Sequence, residues 1–106
     1  MSNGKSLIIE AAKIYKVLGN TTRLDILYFL RHHKEVNVST IVNHLSIAQP
    51  IVSKHLKILR QFQLVTYRRE GTNYYYALND PHVVEMVDDM LNHVKHEIKG
   101  EPHPQK

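Results

Sequence analysis

Apolar residues recur at helical spacing in the first third of the chain. The i, i+3/i+4 pattern predicts an amphipathic helix over residues 7–18. Gly19 interrupts this pattern, and a cap at Asn20 or Thr21 starts a second helix that runs to about His33. The apolar positions of the first helix are Leu7, Ile8, Ala11, Ile14, Tyr15 and Leu18.

The middle of the chain combines two further helices with a hairpin. A short helix is predicted over 39–45 and a longer one over 49–61, with a turn at 46–48 between them. The segments 64–69 and 73–78 are rich in Val, Tyr and Thr, and the short loop between them contains a glycine. This pattern indicates a β-hairpin.

A final helix completes the predicted order of elements. Asp80 can cap it, Pro81 suits its first position, and the helix continues to about Ile98. Two helices, a helix-turn-helix, a hairpin and a last helix (α-α-α-α-β-β-α) make a mainly α fold with a β-hairpin wing. The sequence therefore predicts a winged helix-turn-helix.

Composition narrows the class of protein. The 106 residues, 42% hydrophobic and 23% charged, fit one domain over 1–106, ordered over 7–98 with tails at 1–6 and 99–106. No apolar run could span a membrane and no signal-peptide pattern is present, so we expect a cytoplasmic protein without a membrane partner. Because there is no cysteine, any metal must be held by His, Asp or Glu. The net charge of +4 mildly favours a polyanionic partner.

The helix over 49–61 has the two faces that a DNA-reading helix needs. Val52, Leu56 and Leu59 form an apolar stripe, whereas the opposite side carries donors suited to base edges and phosphates. Basic residues also precede the hairpin tip, within reach of DNA backbone phosphates or the minor groove. A merely solvated helix face is the alternative, and the adjoining basic hairpin argues against it. The candidate DNA-binding residues are Gln49, Pro50, Ser53, Lys54, Lys57, Arg60, Arg68, Arg69, Thr72 and Asn73.

The last helix carries a candidate metal site. At 100° per residue, His82, His93 and His96 share one stripe of the helix. His82 and His93 are about 16 Å apart along the axis, so one ion cannot join them within a single helix. Two such helices packed antiparallel across a dimer axis would bring Asp80 and His82 of one chain to His93 and His96 of the other. Each of the two symmetric sites would then hold three nitrogens and one carboxylate oxygen, which suits tetrahedral zinc.

Simpler interpretations of these residues remain open. Capping alone explains Asp80, and His93 and His96 occupy positions where solvent-facing histidines are common. A regulator of the same fold that responds to a non-metal signal is the main alternative function. An enzyme is disfavoured because four protein ligands leave a zinc ion no open position. A further alternative is a protein-interaction module, which would show no salt-dependent DNA binding.

Two motifs resemble those of the ArsR/SmtB family of bacterial metal-sensing repressors. The segment 18–27 (LGNTTRLDIL) resembles the second-helix signature of that family, and 49–59 (QPIVSKHLKIL) is similar to its recognition helix. The resemblance extends over about 9–97. Asp80-x-His82 followed by His93-x-x-His96 also matches the C-terminal helix site of the zinc- and cobalt-responsive CzrA/SmtB-type members.

The resemblance carries functional expectations. It implies a homodimer built on the first and last helices, whose metal-free form binds operator DNA. Zinc, or cobalt or nickel, at two sites per dimer would release the DNA and derepress a metal-efflux gene. It also implies a coupling hydrogen bond from the ring of His93 to the main chain of Gln63, just after the recognition helix.

Overall fold

The computed structural model describes residues 4–99, in which five helices surround a small antiparallel sheet. Helices α3 and α4 form a helix-turn-helix, and β2 and β3 form the hairpin that follows it, so the predicted winged helix-turn-helix is confirmed. The elements are α1 (Gly4–Leu18), α2 (Thr21–Arg31), β1 (Val36–Asn37), α3 (Val38–Leu45), α4 (Gln49–Gln61), β2 (Val65–Glu70), β3 (Asn73–Leu78) and α5 (Pro81–Lys99).

Local side-chain chemistry sets most of the helix starts. Asn20, Asn37 and Asp80 each accept a hydrogen bond from the backbone N–H three residues later, at 3.0, 2.9 and 3.0 Å. These bonds satisfy N–H groups that lack a partner inside the helix. Helix α4 begins without a side-chain cap, and Pro50 in its first turn has no N–H to satisfy. Of the two predicted roles of Asp80, capping is therefore confirmed.

The structure differs from the sequence expectation at three places. Residues 36–37 form a third strand, which pairs with β3 at Tyr76 and Tyr75 and gives the sheet order β1-β3-β2. Helix α1 begins at Gly4, inside the segment expected to be a tail, and α2 ends at Arg31 rather than near His33. Residues 1–3 and 100–106, which complete the two predicted tails, lie outside the described residues.

The core lies between α2, α3, α4 and the base of the wing. The apolar stripe of α4 is fully buried there, which anchors one face of this helix and leaves the other to solvent. By contrast, among residues 4–97, α1 contributes only Val17 to the buried core, and α5 only Val83 and Val87. The fully buried side chains are Ile26, Leu27, Leu30, Ile41, Val52, Leu56, Leu59 and Val65.

The domain is more open than a compact chain of its size. Its Cα radius of gyration is 15.5 Å, whereas about 13 Å is typical of 100 compact residues. The poor burial of α1 and α5 explains the excess, because both helices lie at the edge of the core. No helix within residues 4–99 is long and apolar enough to cross a membrane.

Candidate functional site

The exposed face of α4 is the centre of the candidate DNA interface. Ser53, Lys57 and Arg60 follow one another at i, i+4 and i+7, so they form one stripe along the helix. We call these three residues the recognition stripe. All ten predicted DNA-binding residues, in α4 and in the wing, lie exposed at the surface. Their placement supports the prediction, and their contacts with DNA remain predictions.

The two neighbouring arginines of the wing differ in their contacts. Arg68 donates from Nε to both carboxylate oxygens of Glu35, each at 3.0 Å. This hydrogen bond raises the pKa of the Arg68 guanidinium. Arg69 donates from Nε to the backbone carbonyl of Gly71 at 2.9 Å instead. Sequence reasoning treated the pair as equivalent because nothing in the local pattern connects Glu35 with Arg68.

A contact between α2 and α4 holds the recognition helix in place. Arg23 donates from Nε to Nδ1 of His55 at 3.2 Å and from Nη1 to the carbonyl of Val17 at 3.1 Å. Since Nδ1 of His55 accepts, the neutral ring carries its proton on Nε2. Burial first, and then the charges of Arg23 and Lys54, lower the pKa of His55. His55 is half-buried, and its hydrogen bond with Arg23 ties α4 to α2.

This contact predicts a pH-dependent loss of stability. Because the folded-state pKa of His55 is lowered from 6.5, the unfolded chain takes up the proton first as pH falls. The contribution of His55 to the free energy of unfolding is complete above about pH 6.5. It is lost as the pH falls towards the lower pKa that His55 has in the folded state. The variant His55→Asn keeps an acceptor without titrating, so urea midpoints measured at about pH 7.5 and 5.0 should differ less for it than for the wild type. The exposed His32→Asn serves as the control and should retain the full wild-type loss; an equal loss in His55→Asn would contradict the assignment.

Helix α5 presents His82 and His93 along one side, whereas His96, predicted for the same stripe, is half-buried. The side chain of His82 is 92% exposed, with Nδ1 3.9 Å from Oδ1 of Asp80. His82 and His93 line the same open groove, together with Glu85, Asp89 and Tyr15. We call this the histidine groove; Met86 and Met90 complete its lining. The structure thus brings two of the four predicted ligands into one groove.

The four predicted ligands do not meet within one chain. Among residues 4–99, no three His, Asp or Glu side chains are close enough to hold a metal ion. The helical rise makes this necessary, because His82 and His93 are about 16 Å apart along α5. Three imidazoles and a carboxylate nevertheless form a donor set that suits zinc. The cap uses Oδ1 of Asp80, and the ligand role of the carboxylate stays a prediction.

The end of the recognition helix is bonded directly to the start of α5. Gln63 follows α4 in the left-handed conformation, with φ of 60°. Its carbonyl accepts a hydrogen bond from Nδ2 of Asn79 at 2.8 Å, and the backbone N–H of Asn79 donates to the carbonyl of Leu64 at 3.2 Å. Asn79 immediately precedes Asp80, and sequence reasoning missed its role. The predicted hydrogen bond from His93 to Gln63 stays a prediction.

A second link connects α5 to α2. Arg31 donates from Nε to both carboxylate oxygens of Asp88, at 2.8 and 2.9 Å. The hydrogen bond from Arg31 lowers the pKa of Asp88. Since these residues are 57 positions apart, helical periodicity could not reveal the pair. Asp88 therefore joins α5 to α2, and Asn79, two residues before α5, joins it to the segment that follows α4.

An apolar surface remains uncovered on α1 and α5. Ile8 is 70% exposed and Leu7 63% exposed on α1, and Met90 is 49% exposed on α5. The two helices and the start of α2 enclose a groove of about 410 Å³. We call this the apolar groove. It is lined by Tyr15, Leu18, Gly19, Leu24, Met86, Val87, Met90, Leu91 and Val94.

Comparison with known proteins places these features among transcriptional regulators. A family model described as "Bacterial regulatory protein, arsR family" matches residues 20–67. The cadmium resistance transcriptional regulatory protein CadC homolog and the arsenical resistance operon repressor, both of Staphylococcus aureus, are each 33% identical over 85 residues. Each alignment covers 80% of this chain, and the two cover 70% and 77% of the respective relatives. The solution NMR structure of the homodimeric winged helix-turn-helix DNA-binding domain Mb0332 (fragment 1-100) from Mycobacterium bovis is similar with a TM-score of 0.85 and 27% identity, covering 99% of this chain and 97% of that chain.

Proposed function

Because the chain belongs to the ArsR/SmtB family of helix-turn-helix transcriptional regulators, which are DNA-binding proteins and not enzymes, we propose that it is a metal-responsive repressor. Its metal-free homodimer binds operator DNA through α4 and the wing. Zinc, or cobalt or nickel, bound by Asp80, His82, His93 and His96 at two sites per dimer releases the DNA. Release derepresses genes for metal efflux or resistance.

One observation carries the metal-sensing part of the proposal. The histidine groove and the apolar groove adjoin each other and share Tyr15, Met86 and Met90. A second copy of the chain that covers the apolar groove therefore lies against His82 and His93 as well. Formation of the dimer then also completes the metal site.

The known relatives support both the homodimer and the response to a metal. The Mycobacterium bovis domain with the same fold is a homodimer, and two relatives carry names that refer to cadmium and arsenical resistance. This chain has no cysteine, so thiolate ligands are not available to it. Imidazole and carboxylate donors favour zinc, cobalt and nickel instead.

The two links from α5 supply a route between the sites. Metal binding fixes how the two α5 helices are arranged. Asn79, two residues before α5, is bonded to Gln63, two residues after α4, and Asp88 of α5 is bonded to Arg31 of α2. A change in the position of α5 is thus passed to the helix-turn-helix. Thermodynamic linkage requires that metal weaken DNA binding and DNA weaken metal binding by the same factor.

The proposal is tested by measuring DNA binding with and without metal. An operator is selected from a random duplex library on the chelator-treated protein, and its affinity is followed by fluorescence anisotropy. Zinc at one ion per chain is expected to weaken binding by about 5- to 150-fold, the usual range of such couplings. Excess chelator should restore the affinity, and magnesium, which prefers oxygen ligands, should have no effect. DNA binding that zinc does not change would indicate a regulator of a non-metal signal, and no salt-dependent DNA binding would exclude a repressor.

A further inference from the structure

The structure separates the roles of the two wing arginines. We propose that Arg69 makes the contact of the wing with a DNA phosphate, and that Arg68 is a positioning residue which Glu35 holds away from the DNA. This inference rests on the proposed DNA binding and assigns its parts within the wing. It replaces the sequence-based view that both arginines bind the backbone.

Arg68 is surrounded by negative charge. Besides its two hydrogen bonds to Glu35, its Nη1 lies 3.6 Å from Oε2 of Glu70. The guanidinium also lies over the ring of Tyr75, 4.6 Å from its centre. The two carboxylates outweigh the single positive charge of Arg68, so the net charge around it is negative and does not attract a phosphate. The contact instead joins β2 to the residue before β1, which fixes the wing against the domain.

Strand alternation puts the two arginines on opposite sides of the hairpin. Arg68 is paired with Tyr75 across the sheet and Arg69 with Tyr74, and neighbouring residues of a strand point to opposite faces. We call the side that carries Arg69 and Tyr74 the inner wing face; it also carries Tyr67, which is paired with Tyr76.

The inner wing face continues the recognition stripe of α4. The guanidinium of Arg60 lies 4.8 Å from the centre of the Tyr67 ring, Tyr67 lies 5.3 Å from Tyr74, and the Arg69 guanidinium lies 5.6 Å from Tyr74. Within residues 4–99, neither Arg60 nor Arg69 forms an ion pair with a carboxylate. The surface from α4 to Arg69 is thus continuously available to one DNA backbone.

The exchange needed for a phosphate contact differs between the two residues. Arg69 gives up one hydrogen bond to the carbonyl of Gly71. Arg68 would have to leave Glu35, and the carboxylate of Glu35 would then face the phosphates and repel them. Contact through Arg69 is therefore favoured, and Arg68 stays bonded to Glu35, where it fixes the wing against the domain.

Salt dependence of DNA binding tests the assignment. The slope of log affinity against log salt becomes shallower by about 0.9 for each phosphate that the protein no longer neutralises. Chelator-treated Arg69→Gln, which removes one phosphate contact from each protomer of the homodimer, is expected to show a slope shallower by about 1.8 on the selected operator, whereas Arg68→Gln, its matched neighbour, should keep the wild-type slope. A slope that is shallower by about 1.8 in Arg68→Gln would overturn the proposal. If the wild type binds no duplex DNA, the proposed function itself fails. If it binds DNA but the slope changes in Arg68→Gln, only the assignment within the wing fails.

Glu35→Gln tests what holds Arg68. This variant is expected to release Arg68 in both protomers and to steepen the slope by up to about 1.8. The Glu35→Gln/Arg68→Gln double variant should show no such steepening. Steepening of the same size in both backgrounds would mean that the charge of Glu35 alone acts at a distance. An unchanged slope in Glu35→Gln would mean that Glu35 does not withhold Arg68. Either result would overturn the role given to Glu35.

Discussion

The variant Ile8→Asp is expected to dissociate the homodimer into folded monomers. Ile8 is 70% exposed and lies nine residues before the buried Val17, which puts it on the opposite side of α1. Its side chain therefore contributes nothing to the monomer core but extends the apolar surface assigned to the second copy. Burying one isoleucine stabilises by about 1.5–3 kcal/mol. The two copies across a symmetric interface together contribute about 3–6 kcal/mol, which corresponds to roughly a 10²- to 10⁴-fold change in the dimer dissociation constant.

Sedimentation velocity over a range of protein concentrations measures this effect. Ser6→Asp is the matched control, because it adds the same charge to the same helix about 160° away from Ile8. Ser6→Asp should remain a dimer, and both variants should keep the helical content of the wild type by circular dichroism. Operator affinity should fall with dimerisation in Ile8→Asp, since one monomer occupies only one half-site. A dimer of unchanged stability in Ile8→Asp would show that α1 is not part of the interface.

The features that the sequence predicts well depend on neighbouring residues. Helix α4 has the predicted bounds because the spacing of Val52, Leu56 and Leu59 extends over the whole helix. The start of α5 is also as predicted, since Asp80 and Pro81 act within a single turn. Periodicity and capping are local properties of the chain, so one sequence is enough to reveal them.

The missed features depend on contacts between distant residues. Strand β1 has two residues, too few for an alternating pattern, and exists because β3 pairs with it. The pairs Arg68–Glu35 and Arg31–Asp88 join residues 33 and 57 positions apart. No spacing rule predicts such partners, although they decide which charges face solvent. The distinction between Arg68 and Arg69 therefore required the structure.

The candidate metal site lies between these two cases. The shared stripe of His82 and His93 follows from helical geometry, and the structure places both residues in the histidine groove. The four-ligand set requires a second chain, because residues 4–99 of a single chain bring no three such side chains together. The structure thus places two of the proposed ligands in one groove, and the four-ligand site stays a proposal.

Replacing His93 by Ala is expected to abolish both metal binding and metal-driven release of DNA. The proposed site holds three nitrogens and one oxygen, and loss of one imidazole leaves it one ligand short. Loss of a direct ligand should exceed the 10- to 100-fold effect typical of the groups that support ligands, so we expect a decrease in metal affinity of more than about 100-fold. The metal-free variant should still bind the operator, because His93 is not among the predicted DNA-binding residues.

Titration with Co²⁺ provides the measurement, since four-coordinate cobalt absorbs intensely in the visible range and six-coordinate cobalt absorbs weakly. The wild type should develop intense bands that saturate at one ion per chain, and His93→Ala should not. His32→Ala removes an exposed histidine of the same kind after α2 and should behave as the wild type does in both spectrum and DNA release. Bands of equal intensity in His93→Ala would show that His93 is not a ligand. Weak bands in the wild type would remove the metal from the function. The winged helix-turn-helix would then remain a DNA-binding regulator whose signal acts elsewhere.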